Sequence, residues 1–445
     1  MKKALLMTAT VAACAIQVPV AAQPGDQPAA SSPAAAAQPA APLDAAAVVA
    51  EVRRILGETY VLPERRPALD AVLAEGMRSG RYAVREPAVL AERINADLAR
   101  VGQDHHLYIG YNPQRVAMMM ARTPENQPDR RGIEDQARRA NHGVRELKVL
   151  PGNVRYLDLA SFDWAGEESE KVLNAAMAFL KDGDAVIIDL RRNGGGSGQA
   201  VHQLISHFLE ADRPLITFYR GSEASPTFKS LAGLSTMVGK PLYVLTSGGT
   251  GSAAEEFAGH VAGYRIGEVV GAATSGAAYM NNVFAIQPGF ELSVSVARPV
   301  LAATGKDWER VGIVPTISAP VEAALQTAHV HALRRLAREN QPRRGQLEAM
   351  AGGIEAAARP ATPASPLRAY TGVYGDRRIS LEEGRLWYQQ EARPRRLMVP
   401  LGGHRFTLAD DPLIRLSFRA ERSRVTGFDV GPADGPVQGR YERQR

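Results

Sequence analysis

Leu242-Tyr243-Val244-Leu245-Thr246-Ser247-Gly248-Gly249-Thr250-Gly251-Ser252-Ala253-Ala254-Glu255-Glu256-Phe257 is a short apolar run, a glycine-rich turn and the opening of a helix. The run from Leu242 to Thr246 has the length and β-branched content of a buried strand. Ser252 then stands where a helix begins, beside unpaired backbone N–H groups and the positive end of the helix dipole, which favour developing negative charge. The same Ser252, with Glu255 three residues on, also reads as a capping box.

The pattern repeats upstream. Ala185–Leu190 is a second buried-type strand, and it runs into Arg191-Arg192-Asn193-Gly194-Gly195-Gly196. Consecutive glycines directly after a strand leave backbone amides open to an oxyanion. Val154–Leu159 is a third strand of this kind. Helical stretches near Ser169–Leu180, Gln199–Glu210 and Ala253–Ala262 follow the three strands in turn, and such alternation predicts a layered α/β domain.

Outward from this centre, Asp44 to about Ala99 carries three helical periodicities: Val48, Val52, Ile55 and Leu56; Leu69, Val72, Leu73 and Met77; Val89, Leu90, Ile94 and Leu98. They predict a small three-helix bundle. Ala323–Arg338 reads as a closing amphipathic helix. The Ala/Pro/Gly-rich stretch 351–366 reads as a tether, within a linker expected over 341–366. Leu367 to Tyr441 shows short strands (Ile379–Leu381, Leu386–Gln389, Leu413–Phe418, Val425–Val430) separated by turns, which predicts a small all-β module over 367–445.

At the other end, Lys2 and Lys3 precede an apolar run to Val20, then Ala21-Ala22 and Gln23. This is the layout of a secretory signal peptide over 1–22, too short for a stable membrane span. Val11-Ala12-Ala13-Cys14 is the competing reading, a lipidation box. The stretch to residue 43 is an Ala/Pro-rich linker. Cys14 is the only cysteine, so cleavage after Ala22 leaves no thiol for disulfides, cysteine catalysis or thiolate metal sites. A net charge of +6, with arginines spread along the chain, points away from nucleic acid.

Two further segments hold candidate chemistry. Asp104-His105-His106-Leu107 offers a general-base histidine; adjacent residues on an extended chain face opposite ways and do not chelate together. Trp308-Glu309-Arg310-Val311-Gly312-Ile313-Val314-Pro315 offers Glu309 to orient such a base, or else a surface carboxylate paired with Arg310. No His-Glu-x-x-His, Ser-x-x-Lys or Gly-x-Ser-x-Gly pattern occurs.

In this order the segments resemble the C-terminal processing peptidases (tail-specific proteases), in the branch that includes interphotoreceptor retinoid-binding protein and the tricorn protease core. The resemblance runs over roughly Asp44 to Leu336. It implies a ClpP/crotonase-like spiral of ββα units over 101–340, preceded by the helical bundle (44–100) and followed by the β module. It maps Ser252 onto the nucleophile, Gly195 and Ala253 onto the oxyanion hole, and His106 and Glu309 onto the base and its partner. The lysine used as base by the tail-specific branch is replaced by Ala277. Ala272 and Thr316 stand where the family usually has Glu and Asp, and His105 where the tricorn-like tetrad has Ser. The implied function is peptide-bond hydrolysis through an acyl-enzyme on a peptide or protein substrate, outside the cytoplasm, with no metal or organic cofactor. The alternative is a non-catalytic binding protein for an apolar ligand or peptide on the same scaffold.

Overall fold

The computed structural model describes residues 43–121, 130–422 and 424–444. The signal peptide, Cys14 and nearly all of the first linker lie outside them. Three helices open the chain: α1 (Ala45–Thr59), α2 (Arg66–Arg78) and α3 (Pro87–Gly102). β1 (Tyr108–Tyr111), α4 (Pro113–Met120) and α5 (Arg130–Arg139) lead to the α/β layers.

The central sheet is built from β2 (Val144–Leu150), β3 (Val154–Leu159), β4 (Ala185–Asp189), β8 (Leu242–Thr246), β9 (Glu268–Gly271) and β12 (Ile317–Ser318), in the order β12-β9-β8-β4-β3-β2. All neighbours are parallel except the β2–β3 pair. α6 (Glu167–Lys181), α7 (Gly198–Ile205) and α8 (Ala253–Tyr264) cover one face; α9 (Ala324–Glu339) and α10 (Arg344–Ala358) cover the other. Alternation explains the continuous apolar runs. Leu157, Ile188 and Val244 face the first helical layer, whereas Tyr156, Ile187 and Leu245 face the second. A strand buried on both faces has no polar phase. The expected ClpP/crotonase-like α/β class is the one observed, and β2–β3–α6 forms its first ββα unit.

A second sheet takes β5 (Pro214–Arg220), the short β6 (Glu223–Ala224) and β7 (Phe228–Lys229), β10 (Met280–Ile286) and the long β11 (Phe290–Leu301), with β1 beside β11. The N-terminal helices do not form a core of their own. Val48, Leu56, Leu73, Leu90 and Ile94 share one apolar cluster with Ile109, Ile286, Phe290 and Leu292 of this sheet. Periodicity shows which helical faces are apolar but not what they pack against.

The tether expected over 351–366 is corrected over its first half. α10 runs to Ala358 and buries Leu347, Met350 and Ala351 against α9. Alanine is the best helix former and Leu347, Met350, Ala351 and Ile354 recur at helical spacing, so the segment packs despite its composition.

The last module is a meander of β13 (Gly372–Tyr374), β14 (Arg377–Glu382), β15 (Arg385–Gln390), β16 (Arg396–Pro400), β17 (Arg405–Leu408), β18 (Asp411–Glu421), β19 (Arg424–Pro432) and β20 (Gly439–Glu442), paired in chain order. The Gln444 amide donates to the Val373 carbonyl at 2.8 Å, which joins the last strand to the first. Tyr370, Tyr374, Phe406, Phe418 and Phe428 fill the barrel-like interior, mostly edge to face.

Candidate active site

Parallel strands β4 and β8 end side by side, and the turns that follow them are laced together. The Thr250 hydroxyl donates to the Leu190 carbonyl (2.7 Å), the Ser247 hydroxyl to Arg191 O (2.6 Å), and the Gly251 amide to Asn193 O (3.0 Å). Held this way, Ser252 adopts φ 51° and ψ −122°, a conformation costly for a residue with a Cβ and characteristic of functional turns. Ala253 follows at the first helical position, where an amide has no acceptor within the helix.

Gly195 presses against this turn. A Cβ there would lie 2.7 Å from Ser252 Cβ and 3.1 Å from the Ala253 nitrogen, and its φ of +115° suits only glycine. The carbonyl of Gly195 accepts from Phe162 N (2.9 Å), and its amide donates to Asn193 Oδ1 (2.9 Å). Asn193 is fully buried and its amide side chain also donates to Leu159 O (2.9 Å). The glycine turn is therefore fixed from both sides by groups that no local motif reveals.

Glu255 does more than cap. Its Oε1 accepts from the Thr274 hydroxyl (2.6 Å) and the Gly276 amide (2.7 Å). Its Oε2 accepts from the amides of Ser252 (2.9 Å) and Ala277 (2.9 Å) and from the Ser275 hydroxyl (3.2 Å). This carboxylate, at 0% exposure, ties the Ser252 amide to the 274–277 loop. One residue on, Glu256 accepts from His202 (3.0 Å) and His260 (3.4 Å). Burial alone would raise its pKa, but the two histidine hydrogen bonds outweigh burial and hold the carboxyl at about 2.

His106 lies in the loop between α3 and β1. Its amide donates to Asp104 Oδ1 (2.8 Å) and its carbonyl accepts from the Ser293 hydroxyl (2.5 Å). Burial pushes the imidazole below the ordinary histidine range, against the pull of Asp104 and Glu255, so it is neutral and able to take a proton at neutral pH. Its Nδ1 is buried without a hydrogen-bond partner.

Glu309 is 9% exposed, which removes the surface-carboxylate reading; Arg310 instead bonds Gln103 at 2.7 Å. Glu309 Oε2 accepts from the amides of Ala278 (2.8 Å) and Tyr279 (3.1 Å), and the carboxylate faces the peptide amide of His105. Burial pushes its pKa up. The structure thus brings Glu309 to the backbone beside His106, with no hydrogen bond to the ring among the described residues. The His105 side chain is exposed. Ala277, at the family's lysine position, contributes its amide to Glu255.

Residues 153–319 match peptidase family S41, and residues 43–140 match the N-terminal domain of peptidase S41 in eukaryotic IRBP. The chain is 27% identical over 175 residues to the carboxy-terminal processing protease CtpB of Bacillus subtilis, covering 39% of this chain and 35% of that protein. It is 30% identical over 169 residues to the chloroplastic C-terminal processing peptidase of Tetradesmus obliquus, covering 36% and 34%. It spans about a third of the length of these curated relatives. Among solved structures, a putative peptidase from Parabacteroides merdae aligns with a TM-score of 0.46 at 19% identity, over 64% of this chain and 96% of that one. The photosystem II D1 C-terminal processing protease aligns at 0.44 and 16%, over 63% and 94%.

Proposed function

Because the chain belongs to peptidase family S41, the tail-specific proteases, we propose that it is an exported serine peptidase that hydrolyses peptide bonds through an acyl-enzyme on Ser252. The observation that carries this reading is the strained Ser252 at the head of α8, with the Ala253 amide beside it and Gly195 so close that a Cβ added there would lie 2.7 Å from Ser252 Cβ. His106 takes the Ser252 proton as the hydroxyl attacks the scissile carbonyl, then returns it to the leaving amine. The Ala253 amide and an amide of the glycine turn bind the tetrahedral oxyanion. In the resting arrangement the Gly195 amide is engaged by Asn193, so the substrate oxygen must compete for it or use a neighbouring glycine. Glu309 acts on the base through the His105 peptide and through the 278–279 turn. The relatives' names refer to processing at protein carboxyl termini, and an extended carboxyl-terminal peptide segment is the substrate class we assign. Export rests on the sequence of residues 1–22. No helix among the described residues is long and apolar enough to cross a membrane.

Labelling with a fluorophosphonate probe tests the assignment. The wild type is expected to label on one serine and Ser252→Ala not at all, with melting temperatures within about 3 °C. Absence of labelling in the folded wild type would favour the non-catalytic binding protein.

A further inference from the structure

Within the Asp104–His106 turn itself, two buried polar atoms have no hydrogen-bond partner: His106 Nδ1 and Asp104 Oδ2. They belong to residues already joined by the bond from the His106 amide to Asp104 Oδ1 at 2.8 Å. That bond is an Asx turn, which carries the carboxylate back over the chain toward the residue two positions on. Behind Asp104 stands Tyr60 at the end of α1, 0% exposed, with its hydroxyl also buried and without a partner of its own. Burial first, and the facing Asp104 second, push that hydroxyl's pKa far up, so it remains a donor available to the carboxylate.

We propose that Asp104, braced by the Tyr60 hydroxyl, is the carboxylate that receives the Nδ1–H of His106 during turnover and holds the imidazolium. The proposal rests on the reading of His106 as the base. The other two acids nearby are placed differently. Glu255 already accepts from the amides of Ser252, Gly276 and Ala277 and from two hydroxyls. Glu309 is held at Oε2 by the Ala278 and Tyr279 amides; its Oε1, also buried without a hydrogen-bond partner, faces the His105 peptide, and the carboxylate is not among the charges acting on the His106 ring. The charges acting on the imidazole are Asp104 and Glu255, which favour its protonation, and His105, which opposes it. Tyr279, at the turn before β10, and Arg65, bonded to the Gly102 carbonyl, complete the titratable surroundings through Glu309 and Tyr60. Hydrogen bonds of a catalytic pair are often open in the substrate-free enzyme and close in the reacting complex. Two orphaned atoms across one turn fit that state.

The test is the pH dependence of fluorophosphonate labelling, with kinact separated from KI. Asp104→Asn keeps the oxygen that caps the His106 amide and removes only the charge. It is expected to lower kinact at least tenfold with KI within twofold, to leave the melting temperature unchanged, and to move the acid limb to lower pH. The direction follows from the sign: the negative charge of Asp104 raises the histidine pKa, so its loss lowers it. Tyr60→Phe should move the limb the opposite way, upward, because the carboxylate it leaves unbraced attracts the proton more strongly. An Asp104→Asn variant with wild-type kinact and acid limb overturns the proposal, as does a limb that moves with Glu309→Gln and not with Asp104→Asn. Loss of labelling in His106→Gln keeps the base assignment standing through either of those results, whereas wild-type labelling in His106→Gln overturns both.

Discussion

Replacing Glu255 by Gln separates a helix cap from an anchor of the active site. The carboxylate accepts from Thr274 and Gly276 on Oε1 and from Ser252, Ser275 and Ala277 on Oε2. Glutamine has one acceptor oxygen and one NH2 group. With the oxygen in the Oε2 position, the NH2 faces the Gly276 amide, and a buried donor is left unpaired at a cost of about 1–3 kcal/mol. The Thr274 hydroxyl can reverse, but it already accepts from Ile313 N at 2.6 Å, so its own proton loses its partner. The remaining bonds lose charge assistance, roughly 0.5–1 kcal/mol each. The opposite orientation strands the Ser252 and Ala277 amides and is worse. The sum is about 3–5 kcal/mol, where loss of a capping interaction alone costs about 1 kcal/mol. At about 2–4 °C per kcal/mol for a large domain, Glu255→Gln should lower the melting temperature by at least about 6 °C in differential scanning fluorimetry. Labelling of Ser252, measured well below that temperature, should slow at least tenfold because the Ser252 amide and the 274–277 loop lose their common tie. A shift under about 2 °C with labelling within twofold would show that Glu255 only caps the helix.

Two other outcomes follow from the same geometry. Gly195→Ala places a methyl 2.7 Å from Ser252 Cβ at φ +115° and should abolish labelling, whereas Gly194→Ala, whose added methyl meets nothing within 4 Å, should leave the melting temperature unchanged; equal melting temperatures and labelling for the two would refute the close approach. For Glu256, the folded carboxyl at about 2 lies below its unfolded value near 4.5, so the stability it contributes is complete above about pH 4.5 and is lost as pH falls toward 2. Glu256→Gln should therefore be less stable at pH 7 and flatter between pH 4.5 and 2 in urea titrations, and parallel curves for the two proteins would contradict the assignment.

What could be read from residue order is what neighbours in the chain decide. Leu242–Thr246 and Ala185–Leu190 show their strands because burial on both faces leaves no polar phase, and Ser252 announces a helix start because capping involves residues three apart. The glycine turn was legible for the same reason: only glycine adopts its φ at Gly195 and Gly196. Other features depend on contacts between distant segments. Glu255 looked like a cap because four of its five donors come from residues 274–277, which only the folded chain brings to α8. Glu309 could be read as the partner of a base or as a surface charge, because its burial is made by the 278–279 turn. The Ala-rich segment after Arg344 suited either a tether or a helix by composition, and packing of Leu347 and Met350 on α9 selected the helix. Local sequence therefore placed Ser252 at the helix start and the glycine turn after the neighbouring strand. The surroundings that set acidity and hold the loops are polar groups whose partners lie far along the chain, and only tertiary packing supplies those partners, because buried donors and acceptors must find one another wherever the fold brings them together.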